Sequence, residues 1–464
     1  MTVSTAPVPS PAMVRRASLA GFLGTVVEAY DFFVYTYLIV YTAPLFFPND
    51  DPVVGVLSSL LVLGSGFLTR PLGGLFFGRL GDRMGRRFTL MVTIIGMGTA
   101  TVLMGVLPTY AAIGIAAPIL LVVFRLFQGF SAGGELAGST TFVSEHSTKN
   151  NHGLLSTITP LGFAAGTAIA PAVVALVASV LSEDVMAEWG WRVPMLMSLP
   201  LTAVCLLLRL GLEDSPEFKR LADSHKIPRT PVRELFTGYW RQLLKVTLLS
   251  ATVLMIGYIV AAFLPLFLQK EAGFAAGTTA AMASVSGVTA MAFTVTAGLV
   301  IDKIGRRNLM FVVMGALAVL FYPLLVLMQA KDGNFLVGMF GLMILGGLGG
   351  AAASPAYAAL TAVFPARVRY TGAALGFGLG SAIGGGLGPW LAAQLTESTG
   401  NIYAPAFLAI GAALVGIAII ATLPSRGVST DDGTFVIPGR GGAPAADEDD
   451  AKTEDAKIEK AEAN

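Results

Sequence analysis

The chain holds twelve stretches of about 20 or more mostly apolar residues, each long enough to cross the hydrocarbon core of a bilayer as a helix. They run near 18–43, 53–77, 88–107, 111–143, 154–181 and 191–212, then near 245–268, 276–301, 308–329, 335–364, 371–395 and 403–423. A backbone surrounded by lipid must satisfy its own hydrogen bonds, so a chain of this kind folds as a helical bundle. The expected fold is therefore an all-α integral membrane protein of twelve transmembrane helices. Only 13% of the residues are charged, half the share of an ordinary soluble domain, which agrees with that class. With a net charge of +1 the chain carries no basic field for nucleic acid. Its single cysteine, Cys205, lies in an apolar stretch and reads as a buried thiol.

Basic residues alternate from one connection to the next. Arg79, Arg83, Arg86 and Arg87, then Lys149, then Lys219 to Arg233, then Lys303, Arg306 and Arg307, then Arg367 and Arg369 fall on one face. The other face has little beyond Lys270 and Lys331. The positive-inside rule then places both termini in the cytoplasm of a plasma-membrane protein. Trp189 and Trp191 are expected at the outer interface and Trp240 at the inner one. The domains expected are an N-terminal tail (1–17), a first six-helix bundle (18–212), a proline-containing linker (213–244), a second bundle (245–424) and a disordered acidic tail (425–464).

A short repeat relates the bundles. Gly78-Arg-Leu-Gly-Asp82-Arg83-Met-Gly85-Arg86-Arg87 follows the second stretch, and Gly298-Leu-Val-Ile-Asp302-Lys-Ile-Gly305-Arg306-Arg307 follows the eighth. In each, the first glycine allows close helix approach, the aspartate suits a helix cap or an arginine partner, and the second glycine suits a turn. The motif resembles the signature loop of the major facilitators. That resemblance implies two pseudo-symmetric six-helix bundles and a latch on the cytoplasmic side at Asp82, Arg83 and Arg86. Further stretches resemble the metabolite:proton symporters within that superfamily. They are Glu28-Ala-Tyr30-Asp31-Phe-Phe, Arg125-Leu-Phe-Gln128-Gly-Phe-Ser-Ala-Gly-Gly-Glu135, Gly190-Trp-Arg-Val-Pro, Leu212-Glu-Asp-Ser-Pro-Glu-Phe218 and Phe364-Pro-Ala-Arg367-Val-Arg369-Tyr-Thr-Gly372. Ala29 and Ala362 depart from the family pattern, which has tryptophan and glutamate there. The resemblance implies symport driven by protons.

An ionisable side chain at membrane depth costs roughly 2.5–3.5 kcal/mol on insertion scales, so each is a functional candidate. Glu28 and Asp31 in span one and Arg125 in span four fall near the midplane, close enough to pair, with Glu135 deeper. Arg70 is expected to snorkel to the inner boundary. The proton-coupling candidates are Asp31, Glu28 and Glu135. Those for substrate are Arg125, Gln128, Tyr30 and Tyr35, with Tyr37 beside them. A substrate carboxylate that draws Arg125 from its acidic partner would leave that partner to take a proton, which couples the two. Three carboxylates and one arginine would make a net negative site. All these charges lie in the first half, so the second is expected mainly to shape the cavity.

No catalytic constellation is present, and His146, His152 and His225 lack metal-ligand spacing, so neither an enzyme nor a metal site is expected. Gly346-Gly-Leu-Gly349-Gly350 lacks the strand and lysine of a phosphate loop and reads as helix packing or a flexible point. The function expected is proton-coupled uptake of a small organic acid, by a monomer, with the proton as coupling ion and no cofactor. The alternatives are a zwitterionic osmolyte or amino-acid carrier, and a membrane sensor whose tail signals. Truncation near Ser425 separates the last, since a carrier keeps transport without its tail.

Overall fold

The structure is a computed structural model. It describes residues 11–48, 58, 62–145, 155, 157–215, 218, 231–274, 276–329, 334–423, 428–429 and 435–436. Residues 49–57 and 59–61 around the start of the second span, linker residues 216–217 and 219–230, the three histidines and the acidic residues at 447–450 lie outside the described residues.

The chain is a twelve-helix membrane protein in two bundles. The first holds α1 (Pro11–Phe46), α2 (Arg70–Met84, with helical residues from 62), α3 (Arg86–Val106), α4 (Ala116–Glu145), α5 (Ile158–Val180) and α6 (Arg192–Leu210). The second holds α7 (Trp240–Ala272), α8 (Ala276–Ile304), α9 (Arg306–Gln329), α10 (Phe335–Ala362), α11 (Arg369–Ser381, continuing to Thr399) and α12 (Ala404–Ala421). Ten of these, all but α2 and α11, are long and apolar enough among the described residues to cross a membrane. The α2 stretch is described only in part, and α11 is rich in glycine.

Helices begin and end off the expected limits where a local signal outweighs hydropathy. α1 is helical from the first described residue, Pro11, inside the expected tail. The linker ends in a helix over Pro231–Gly238, whose Glu234 pairs with Arg367 at 3.1 Å. Within the segment expected to be disordered, Val428–Ser429 pairs antiparallel with Phe435–Val436. Trp189 and Trp240 are half exposed, but Trp191 is fully buried, edge-on to Phe46. Arg192 lies over its ring, 4.4 Å from the centroid, so the indole packs inside the bundle rather than on its surface.

The bundles meet along α2 against α11 and α5 against α8, two pairs related by the duplication. The first glycine of each repeat sits in these seams. A Cβ on Gly78 would lie 2.7 Å from the Thr371 Cα at the start of α11, and one on Gly298 would strike Thr157, just ahead of α5. At Gly78 only glycine lets the backbones come so close, whereas at Gly298 the contact is with the Thr157 side chain. The second glycines, Gly85 and Gly305, have φ of +105° and +81°, a turn that other residues rarely adopt.

Candidate functional site

Three layers lie between the bundles: a polar latch on the arginine-rich face, a buried charge cluster in the first bundle, and a cavity beside it.

At the latch, the Asp82 carboxylate crosses from α2 to the other bundle. It accepts from Tyr370 N (3.3 Å), Thr371 N (2.9 Å) and Thr371 Oγ1 (2.6 Å). The first amides of a helix have no partner within it, so Asp82 caps α11 from outside. Arg86 holds that carboxylate at 3.2 Å and also reaches the Ala366 carbonyl at 3.2 Å. Glu145, at the end of α4, sits 3.4 Å from both Arg86 and Arg369 and so joins the bundles again. Tyr370 donates its hydroxyl to Gly134 O at 2.9 Å. Arg87 instead donates to Arg209 O and Leu210 O at the end of α6. Arg83 is exposed and forms no ion pair among the described residues. In the second copy Arg306 is buried and Arg307 half-buried, and the side chain of Asp302 lies outside the described set.

From sequence Arg369 reads only as an orienting charge within a family stretch, and Glu145 stands at a span end where a solvated acid gives no signal. Asp82→Ala removes three acceptor contacts and an arginine partner. A lost helix cap costs about 0.5–2 kcal/mol, a factor of roughly 2–30 in population. Alkylation of a cysteine placed at Ala374, with Cys205 replaced by serine, should accelerate by that factor. An unchanged rate would mean that Asp82 does not hold this face shut.

The charge cluster differs from its expected pairing. Arg125 meets neither Glu28 nor Asp31. It donates to Gln128 Oε1 and to the Phe32 carbonyl (3.3 Å), and lies over the rings of Phe32 (4.1 Å) and Tyr35 (5.1 Å). Gln128 in turn donates to the Asp31 carbonyl (3.1 Å) and to Thr101 (2.7 Å). The pair thus binds α1 through backbone, a possibility that spacing of charges does not reveal.

Arg70 does not snorkel. It is 1% exposed, 3.4 Å from Glu28, and its guanidinium lies over Phe32 (4.8 Å) and Phe67 (5.1 Å). Two ring faces and a carboxylate compensate its lost hydration. Glu135 pairs with Arg209, a residue passed over because it stands near the end of its span. Three buried carboxylates therefore face three buried arginines, and the expected net negative site is balanced instead. Asp31 alone of the three pairs with no cation among the described residues. The hydroxyls of Ser198 and Thr101 lie beside it.

The cavity, of about 120 Å³, is walled by α1 and α5 on one side and α7, α8 and α10 on the other. Its wall carries no charged side chain. Five rings stand in it: Phe33, Tyr37, Phe163, Tyr258 and Tyr357. Phe33 and Tyr258 stack in parallel, centroids 5.5 Å apart. The wall does not include Arg125, Gln128, Tyr30 or Tyr35. Tyr30 is buried with its hydroxyl on Pro194 O at 2.6 Å, while Tyr37 does line the space.

Tyr258 joins the layers. It packs against Phe32 and Phe67, the rings under Arg70 and Arg125, and its hydroxyl is buried without a hydrogen-bond partner among the described residues. Nothing in the middle of α7, which holds no charge, distinguishes this tyrosine from a packing residue. The order is cavity, aromatic wall, arginines and carboxylates, so rings separate the cavity from the charges.

Comparison with known proteins agrees with the fold. The family profile of the Major Facilitator Superfamily matches residues 21–332 and 257–434. The chain is 35% identical over 419 residues to a proline/betaine transporter of Salmonella typhimurium, covering 87% of this chain and 82% of that protein. It is 33% identical over 409 residues to a shikimate transporter of Escherichia coli, covering 86% and 92%. A glycine betaine/proline/ectoine/pipecolic acid transporter of Dickeya dadantii is 32% identical over 413 residues, covering 87% and 82%. Among solved structures, a proton:xylose symporter with a bound bromodeoxyglucose superposes with a TM-score of 0.74 over 92% of this chain and 98% of that one, at 16% identity.

Proposed function

Because the chain belongs to the Major Facilitator Superfamily, and is a membrane transporter rather than an enzyme, we propose that it imports a small zwitterionic solute together with protons. The two bundles rock about the cavity in alternating access, with the arginine-rich face towards the cytoplasm and Asp31 as the proton site. One observation carries the choice of solute: the cavity wall is aromatic and holds no charge. Ring faces attract a substituted ammonium, and the Tyr258 hydroxyl is placed to donate to a carboxylate. At about 120 Å³ the cavity lies below the roughly 300–1,000 Å³ of drug-sized sites, so the occupant has few heavy atoms. A solute of zero net charge also leaves the three-to-three balance of buried charges as it stands.

Relatives whose names specify proline and betaines support the reading. A second reading, uptake of an organic acid, rests on Arg125, which is bound by an amide and a carbonyl rather than a carboxylate and would be free to take one. Proteoliposomes with an inward proton gradient decide between them. Labelled proline and glycine betaine should accumulate and fall to equilibrium when a protonophore is added, and shikimate should neither accumulate nor compete. Accumulation of shikimate alone would overturn the zwitterion reading in favour of the acid.

A further inference from the structure

Five glycines line the cavity, and they divide into two kinds. A Cβ on Gly287, Gly346 or Gly350 would collide with Ala168, Ser286 or Ala290, so those three serve helix packing. A Cβ on Gly257 of α7 or Gly349 of α10 would meet no atom within 4 Å. These two stand at the wall of the cavity with room in front of them. Packing does not account for their lack of a side chain, although the run Gly346–Gly350 reads as packing from sequence alone. Tyr258, next to Gly257, brings to the same wall a buried hydroxyl that has no hydrogen-bond partner among the described residues.

We infer that Gly257 and Gly349 set the upper size of the solute, their missing side chains being part of the volume that the substrate fills. This rests on the cavity being the transport site. A protein interior packed to ordinary density leaves few voids, so a methyl group added at such a wall takes its space from the ligand rather than from a neighbour. The second bundle, which brings no charged group to the wall, thereby exerts selection by volume.

Proline and pipecolic acid differ by one ring methylene and so measure this directly. One methylene in an apolar pocket discriminates by roughly 10–200-fold. In proteoliposomes, Gly349→Ala and Gly257→Ala should lower the ratio of pipecolic acid to proline uptake, as kcat/KM, by about tenfold or more, mainly through KM. Gly411→Ala is the control. Gly411 also has open space before it but lies on α12, outside the cavity. Its ratio should equal that of the unaltered protein at equal amounts in the membrane.

If both solutes fall equally, or neither changes, the size inference is overturned. Gly257→Leu then tells whether the site itself was wrong: loss of both substrates keeps the cavity as the transport site, and unchanged uptake of both removes it. If the unaltered protein moves neither solute, the proposed function fails and the inference with it.

Discussion

Arg209→Leu is expected to be the most destabilising single change in the first bundle, at about 3–5 kcal/mol, the cost of leaving a buried charge without its partner. The side chain starts near the end of α6 but turns inward. Its guanidinium holds both oxygens of Glu135, the carbonyls of Leu90 and Ala20, and Ser139 Oγ at 3.3 Å. Glu135 in turn accepts from Thr93 at 2.6 Å and Ser139 at 2.9 Å. One ion pair thus ties α1, α3, α4 and α6 together. With leucine at 209, Glu135 keeps two hydroxyls and loses the only cation paired with it among the described residues. The melting temperature of the purified protein in detergent should fall markedly, and a Glu135→Leu change in the same chain should recover much of the loss, because an apolar pair of similar volume replaces a buried ion pair at little cost. If the double variant melts no higher than the single one, the ion pair is not what Arg209 contributes. A Lys at 209 should rank between, since it keeps charge but not the two-pronged contact.

Arg209 also marks how far a sequence of this kind can be read. The helical spans follow from apolar length, and the seams between bundles follow from the repeat, since Gly78 and Gly298 occupy equivalent places against α11 and α5. The identities of the buried charges in α1 and α4 are equally legible, because nothing but function or pairing retains a charge in lipid. Their partners are not. A span end permits an arginine to point either to water or to the interior, and position alone does not choose. Arg70 and Arg209 both choose the interior, because a carboxylate waits there on a neighbouring helix. The cavity wall was the least legible element. Phe33, Phe163 and Tyr258 are apolar or nearly so, and an aromatic in a span carries the same signal whether it packs or binds. Only the three-dimensional meeting of α1, α5 and α7 makes them one wall.

Asp31→Asn should abolish accumulation against a gradient while leaving exchange of solute across the membrane intact. Glu28 and Glu135 are engaged by Arg70 and Arg209, so a proton arriving at either must compete with a cation already in place. Asp31 has no cation at ion-pair distance among the described residues, Arg125 acting on it only from farther away, and it is next in sequence to Phe32, the ring that supports both Arg70 and Arg125. When a solute enters beside Phe33 and Tyr258, any shift of Phe32 moves the two arginines relative to Asp31, so loading of solute and of proton favour one another. An asparagine keeps the shape and the polar contacts but takes up no proton. Counterflow measured with equal pH on both sides should therefore proceed at near the normal rate, and uptake driven by an imposed proton gradient should stop at the equilibrium level, with its pH dependence lost. The matched variant Glu28→Gln should behave differently, since it leaves Arg70 buried without a carboxylate and so lowers stability and exchange together. PH-dependent accumulation by the Asp31→Asn protein would transfer the proton site to another carboxylate.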